Sequence, residues 1–246
     1  MNEESNAPLS SESAGSAGVA GWFSTWMTAV TKPNEQTFAT LAEHPDATSN
    51  SRAFTWVFLA GTISALISGV FGAILQLAGF AQTPGLGDLF GGDAQRGVAF
   101  TFGVAICISP VAGALGVLFF AIGTGIVQWV AKMFKGTGTF SQLAYTMAAV
   151  SVPVTLVSSV LTPFSGIQYV GICTGLVSIL LGLYALVLEL MAIKGVNKFG
   201  WGQAAGSLFL PSIVLACCLA IPIIGVMSML GPAIGDTFST IQNSLP

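Results

Sequence analysis

The side chains in this sequence that could do chemistry are few and scattered. The single histidine, His44, stands before Pro45 with no carboxylate cluster beside it, which leaves little from which to build a catalytic triad or a metal site. Cys107, Cys173, Cys217 and Cys218 all lie in apolar segments. They lack paired metal-ligand spacing, and adjacent Cys217 and Cys218 point to different sides of a helix, so they read as small hydrophobic filler. The run Lys135-Gly136-Thr137-Gly138-Thr139-Phe140-Ser141 superficially suggests phosphate binding. It has neither the Gly-Lys-Ser/Thr ending nor a preceding strand, so it is expected to be a flexible turn, with Ser141 near the next helix start.

Polar residues inside apolar stretches are the remaining site candidates. Glu189 lies five positions before Lys194, Gln128 four before Lys132, and Tyr145 four after Ser141. At 1.5 Å per helical residue all three would fall roughly 6–8 Å below one membrane face. An acid at the bilayer centre costs roughly 2.5–3.5 kcal/mol on insertion scales and less near the edge, so a partner is expected. The spacing predicts an inner-leaflet polar cluster of Gln128, Tyr145 and Glu189. The structural alternative is a carboxylate reaching toward Lys194 or Lys198; the functional one is a proton or ion relay.

That depth argument needs the apolar stretches to be spans, and composition says they are. Charged residues are 7% of the 246 residues, against about 25% in an ordinary soluble domain. Apolar residues make 53%, with 30 Gly and 17 Phe. So few charges could not cover a soluble fold, so a soluble enzyme is nearly excluded. No cofactor is expected. The net charge of −3 carries no basic footprint for nucleic acid either.

Seven basic and ten acidic residues delimit the apolar runs. A hydrocarbon core about 30 Å thick needs roughly 20 helical residues, which places five spans at 53–80, 111–131, 141–162, 167–193 and 205–231, with a break near Pro163–Gly166. Gly97–Ser109 is apolar but only 13 residues long before Pro110. At about 20 Å it is too short to cross alone, so it reads as a re-entrant or surface-lying helix leading into the second span. The expected fold is therefore an all-α, polytopic membrane helix bundle.

The basic residues set its orientation. With the N-terminus in the cytosol, Arg52, Lys132, Lys135, Lys194 and Lys198 face inward, Lys32 is borderline, and only Arg96 falls outside. The C-terminus is then outside. A six-span arrangement splits the charges less well and needs a 13-residue span.

The ends divide further. Residues 1–18, rich in Ser, Ala and Gly, are expected to be a disordered tail, as 232–246 form a C-terminal one; no signal peptide is read. Residues 19–52 read as amphipathic cytosolic helices. Val19, Trp22, Phe23, Trp26 and Val30 share a helical face, and Trp22 and Trp26 would anchor it at the membrane interface. Pro33 opens a second short helix, with Glu35 in its first turn and Phe38 and Leu41 on its buried side. The alternative is that both helices pack on the loops of the same chain. Within the spans, Gly61/Ala65, Gly69/Ala73, Ala121/Gly125 and Gly171/Gly175 allow close helix approach, by default within one chain.

From Ser109 to Ile223 the order of features resembles the Yip family, the five-span Ypt/Rab-interacting membrane proteins. The second span ends in Gln128-Trp129-Val130-Ala131-Lys132, and Lys135-Gly136-Thr137-Gly138-Thr139-Phe140 is similar to the family's Gly-Gly-x-Gly-Ser/Thr-Phe turn. Ala144-Tyr145 followed by Val152-Pro153 looks like its third span. Tyr184 and Glu189 precede the basic loop Lys194–Lys198, and Ala204/Ala205 open the last span. Upstream, Thr31-Lys32-Pro33-Asn34-Glu35 with Phe38 is similar to the short helix of prokaryotic members.

The resemblance implies a non-enzymatic protein that organises membrane or scaffolds partners. Eukaryotic members sit in ER and Golgi membranes and bind small Rab GTPases. They usually carry Asp-Leu-Tyr-Gly-Pro before the second span and Gly-Tyr in the third. Here the first is reduced to Ile108-Ser109-Pro110-Val111 and Ala144 replaces the Gly, which argues against a Rab-type GTPase and for a member from a prokaryotic plasma membrane. The partners expected are the lipid bilayer and a second copy or another membrane protein. The alternative is a small transporter or channel subunit in which Pro110, Pro153, Pro211 and Pro222 break helices around a cavity and Glu189 supplies the charge.

Overall fold

The computed structural model describes residues 18–80 and 94–214, with positions 216, 220 and 228. Among them the regular structure is helical throughout. Two short helices, α1 (Val19–Thr31) and α2 (Glu35–Ala42), precede four long ones: α3 (Asn50–Leu77), α4 (Ala94–Met133), α5 (Phe140–Leu161) and α6 (Val170–Asn197). A further helix, α7, begins at residue 201 and is described to 214. Four stretches are long and apolar enough to cross a membrane: Asn50–Leu75 in α3, Phe102–Met133 in α4, Phe140–Gly166, which is α5 with the short turn after it, and Val170–Asn197 in α6. Most of the expected fifth span, the two tails and Cys217 and Cys218 lie outside the described residues, so the four spans stand without a count for the whole chain.

Local chemistry sets most boundaries. The Asn34 side chain accepts from the Thr37 N–H at 2.7 Å, so α2 starts at Glu35 with Pro33 left outside. Thr139, ahead of Ser141, caps α5 in a reciprocal box with Gln142. The α5–α6 break falls where Pro163 and Gly166 predict it, as a short 3-10 turn over Thr162–Gly166.

Gly97–Ser109 departs from expectation. It is not a separate short helix but the first part of the continuous, 40-residue α4, which runs through Pro110. Proline removes the N–H that would bond the Ile106 carbonyl. The Ser109 hydroxyl donates to that carbonyl instead, at 3.1 Å. Helix α4 also packs closely along α3, which a local reading of proline does not anticipate. A Cβ at Gly113 would stand 2.7 Å from the Phe58 carbonyl oxygen, and one at Gly61 3.1 Å from the Gly113 Cα. Gly69 likewise meets Ala105. These small residues therefore serve contacts within the chain.

The long helices alternate in direction, so α3, α5 and α7 begin, and α4 and α6 end, at one end of the bundle. Arg52, Lys132, Lys135, Lys194 and Lys198 all sit there, which we call the basic end. The core sits there too. Leu143–Val150 of α5 are buried without interruption, together with Phe38, Trp56, Leu188, Ala192 and Ile193. Farther along, α6 is bare: Ile172, Ile179, Leu180 and Leu183 are 57–68% exposed.

Candidate functional site

An amide clasp closes the basic end. Gln128, near the end of α4, is buried, and its Nε2 donates to the Gly138 carbonyl at 2.6 Å and to Asn197 Oδ1 at 3.2 Å. The Asn197 Nδ2 returns to Gln128 Oε1 at 3.4 Å and to the Ile193 carbonyl at 3.1 Å. Thr137 adds an N–H bond to the Asn197 carbonyl at 3.2 Å. Three elements are tied through two neutral side chains. A buried amide left unpaired costs about 1–3 kcal/mol, so the matching matters more than any one bond.

The turn fits only without side chains. A Cβ on Gly136 would stand 2.5 Å from Asn197 Oδ1; one on Gly138 would stand 2.5 Å from Val196 Cγ1 and 2.8 Å from the Val196 carbonyl. Before it, Lys135 takes a left-handed φ of 64° while Gly136 N–H bonds the Ala131 carbonyl and Lys135 N–H that of Lys132. This is a Schellman ending with lysine where glycine is usual. Phe140 then packs beside Phe54, their ring centroids 6.5 Å apart. The Gly-x-Gly run is therefore a packed turn, and its glycines serve α6.

Tyr145 belongs to a second group. It is buried, stacked on His44 at 5.9 Å and tilted against Trp56 at 5.0 Å. Trp22 and Trp26 meet Trp56 edge-on at 6.1 and 5.6 Å. All three indole N–H groups are buried without an acceptor among the described residues, so ring contact and buried area hold the cluster. The tryptophans of α1 face inward here, and Val19, Phe23 and Met27 are its exposed large side chains. His44 has a structural role: its Nδ1 accepts from the Asp46 N–H at 3.2 Å, capping the 3-10 turn Pro45–Thr48.

The charged residues are used in pairs. Glu35 and Glu43 of the α2 region pair with Lys194 and Lys198, the latter at 3.6 Å, and Asp46 pairs with Arg52 at 3.1 Å. Lys194 also lies 4.7 Å from the Trp201 ring centre. The exposed Lys198–Glu43 pair contributes about 0–1 kcal/mol, and the other two are partly buried. The pairs set the register of α2, while its docking rests on the fully buried Phe38 and on Gly195, where a Cβ would stand 2.8 Å from the Glu35 carbonyl. Lys132 and Lys135 are exposed and form no ion pair among the described residues.

Gln128, Tyr145 and Glu189 are thus distributed rather than bonded to one another. Gln128 holds the clasp, Tyr145 the aromatic cluster, and Glu189 is half-buried with no hydrogen bond or ion pair among the described residues. Its expected lysine partners are engaged by α2. The reading from sequence missed Asn197, Gly195 and Trp56. Asn197 carried a usable signal: a lone neutral amide at the end of one span, level with Gln128 near the end of another span that runs the same way.

A bundle of apolar crossing helices, bound at one end by an amide clasp and capped by two amphipathic helices, defines a polytopic helical membrane protein. Within that class the chain belongs to the Yip1 domain family, whose model matches residues 27–222. No curated protein and no solved structure gives a significant match.

Proposed function

We propose that the protein is a non-enzymatic membrane scaffold or adaptor whose basic end faces the cytosol and presents a pre-formed, helical partner surface. The observation that carries this reading is the docking of α2. Phe38, Gly195 and two ion pairs hold it over the α6 end, and Lys132 and Lys135 are exposed at the same end of the bundle. The gathering of basic residues at this end supports a cytosolic orientation, with the C-terminus outside after a fifth span. A shallow cavity of about 240 Å³ between α2 and the glycine turn, lined by Ala39, Glu43, Thr137, Gly138 and Lys198, suits a peptide-like contact better than an enclosed substrate. Ala144 and Tyr145 are buried. That supports a packing role for this pair and a partner other than a Rab-type GTPase, as in a prokaryotic plasma-membrane member.

A membrane-impermeant lysine crosslinker applied to inverted native membranes, read by mass spectrometry, tests this. Lys132 and Lys135 are expected to link to another membrane protein or a second copy. Reaction only in right-side-out vesicles would overturn the orientation, and recovery of within-chain links alone would overturn the scaffold.

The second reading, a transporter or channel subunit, has one observation in its favour: Lys194 and Lys198 pair with α2 carboxylates and leave Glu189 unmatched. On the scaffold reading, Glu189→Gln leaves ion flux into liposomes at background, as in the parent. A reproducible Glu189-dependent flux would replace the scaffold by the transporter.

A further inference from the structure

We propose that, on the face where α2 covers α6, the bilayer surface on the basic side meets the protein near Tyr184–Leu188, some two to three turns inside the lysines, and that the outer stripe of α1 rests on it. The inference depends on the membrane-spanning character of α6 and not on the scaffold reading.

The burial of α6 changes abruptly along its length. Ile172, Ile179, Leu180 and Leu183 are exposed, whereas Leu188, Ala192 and Ile193 are fully buried. From Val170 to Val187 the helix covers about 27 Å, close to the roughly 30 Å hydrocarbon core. Beyond Leu188 it is wrapped by α2, whose outward side carries Glu35, Gln36, Thr40 and Glu43. A helix with that outward face belongs in water or among headgroups. The boundary therefore lies below α2.

Helix α1 reaches that boundary. The Tyr184 hydroxyl donates to the carbonyl of Val30, one residue before the end of α1. Its outward stripe is Val19, Phe23 and Met27, exposed by 71, 60 and 43% at four-residue spacing. The Tyr184 bond brings the C-terminal end of α1, next to Met27, beside the exposed face of α6. Lipid is the occupant: the stripe is apolar and adjoins a face that lipid already covers. The tryptophans, turned toward Trp56, are not the contact. Residues 19–31 contain no Lys or Arg, so apolar burial rather than anionic lipid drives the association.

The test uses the full chain with its four cysteines replaced, reconstituted in phosphatidylcholine vesicles, with a nitrobenzoxadiazole label at Phe23→Cys or Met27→Cys. Leu180→Cys is the lipid control and Thr40→Cys the water control. Both α1 labels are expected to be quenched several-fold more by shallow doxyl-lipids than by aqueous iodide, with or without anionic lipid. Iodide quenching equal to Thr40→Cys would overturn the proposal. So would protection from both quenchers with Phe23→Cys crosslinking between copies, since a second copy would then cover the stripe. If Leu180→Cys itself is quenched by iodide, the membrane-spanning reading of α6 fails as well.

Discussion

Gly138→Val is expected to open the α4–α5 turn and destabilise the whole basic end by about 3 kcal/mol or more, at the upper end of overpacking costs. The new Cβ meets Val196 Cγ1 at 2.5 Å and the Val196 carbonyl at 2.8 Å, and backbone cannot yield as a flexible side-chain tip would. Moving the turn also separates the Gly138 carbonyl from Gln128, whose amide is buried. Clash and lost hydrogen bond therefore add. In detergent this is expected to lower the midpoint of thermal unfolding by at least about 6 °C. Asn197→Ala, which leaves the turn unobstructed, should cost about 2 kcal/mol through the unmatched Gln128 amide. Combined with Gln128→Leu it should cost less than the sum of the two single changes, because both break one pair. Strict additivity in that double-mutant cycle would mean that the amides do not act as a clasp.

Gly195→Leu is expected to detach α2 while leaving the long helices formed. Replacing glycine inside a helix raises helix propensity by up to about 1 kcal/mol, so α6 alone would gain from the change. Packing decides the opposite sign. A Cβ at 195 stands 2.8 Å from the Glu35 carbonyl, 3.0 Å from Phe38 Cβ and 3.2 Å from the Ala39 nitrogen, three contacts with one turn of α2. Phe38→Ala removes the same docking from the other partner, at about 3–5 kcal/mol for a fully buried phenylalanine. Both variants should make the segment between α1 and α3 several-fold more sensitive to limited proteolysis, with unchanged helical circular dichroism from the spans. A proteolysis pattern identical to the parent would show that α2 is not held by this contact. If the scaffold reading is right, both variants also lose the partner crosslinks.

Taken together, the basic end is built from contacts that are weak singly and mutually dependent. Two ion pairs steer α2, one phenylalanine seats it, and a glycine on the facing helix admits it. The same end holds the amide clasp and the aromatic cluster. The basic end is therefore one packed unit, and perturbing it at Gly138 or at Gly195 is expected to have separable signatures.

Much of the bundle could be read from residue order alone, because crossing a bilayer is a constraint of composition and length that each segment meets independently. Apolar runs near 20 residues, the Pro163–Gly166 break and a short helix just after Pro33 with Glu35 in its first turn all follow from local rules. The gathering of lysines at the ends of alternate helices is legible in the same way. What those rules could not supply is which polar group meets which across the bundle. Pro110 looks like a helix start in isolation; a serine hydroxyl on the freed carbonyl and the close α3 contact at Gly61 and Gly113 keep it inside α4. Lys194 and Lys198 are near Glu189 in sequence, yet α2 and its C-cap supply nearer carboxylates, Glu35 and Glu43, from more than 150 residues upstream. Tyr145 turns to His44 and Trp56, and Gln128 to Asn197, for the same reason. The membrane's demand on each segment is local and is written in composition, whereas pairing depends on distances between segments that come into being when the helices pack.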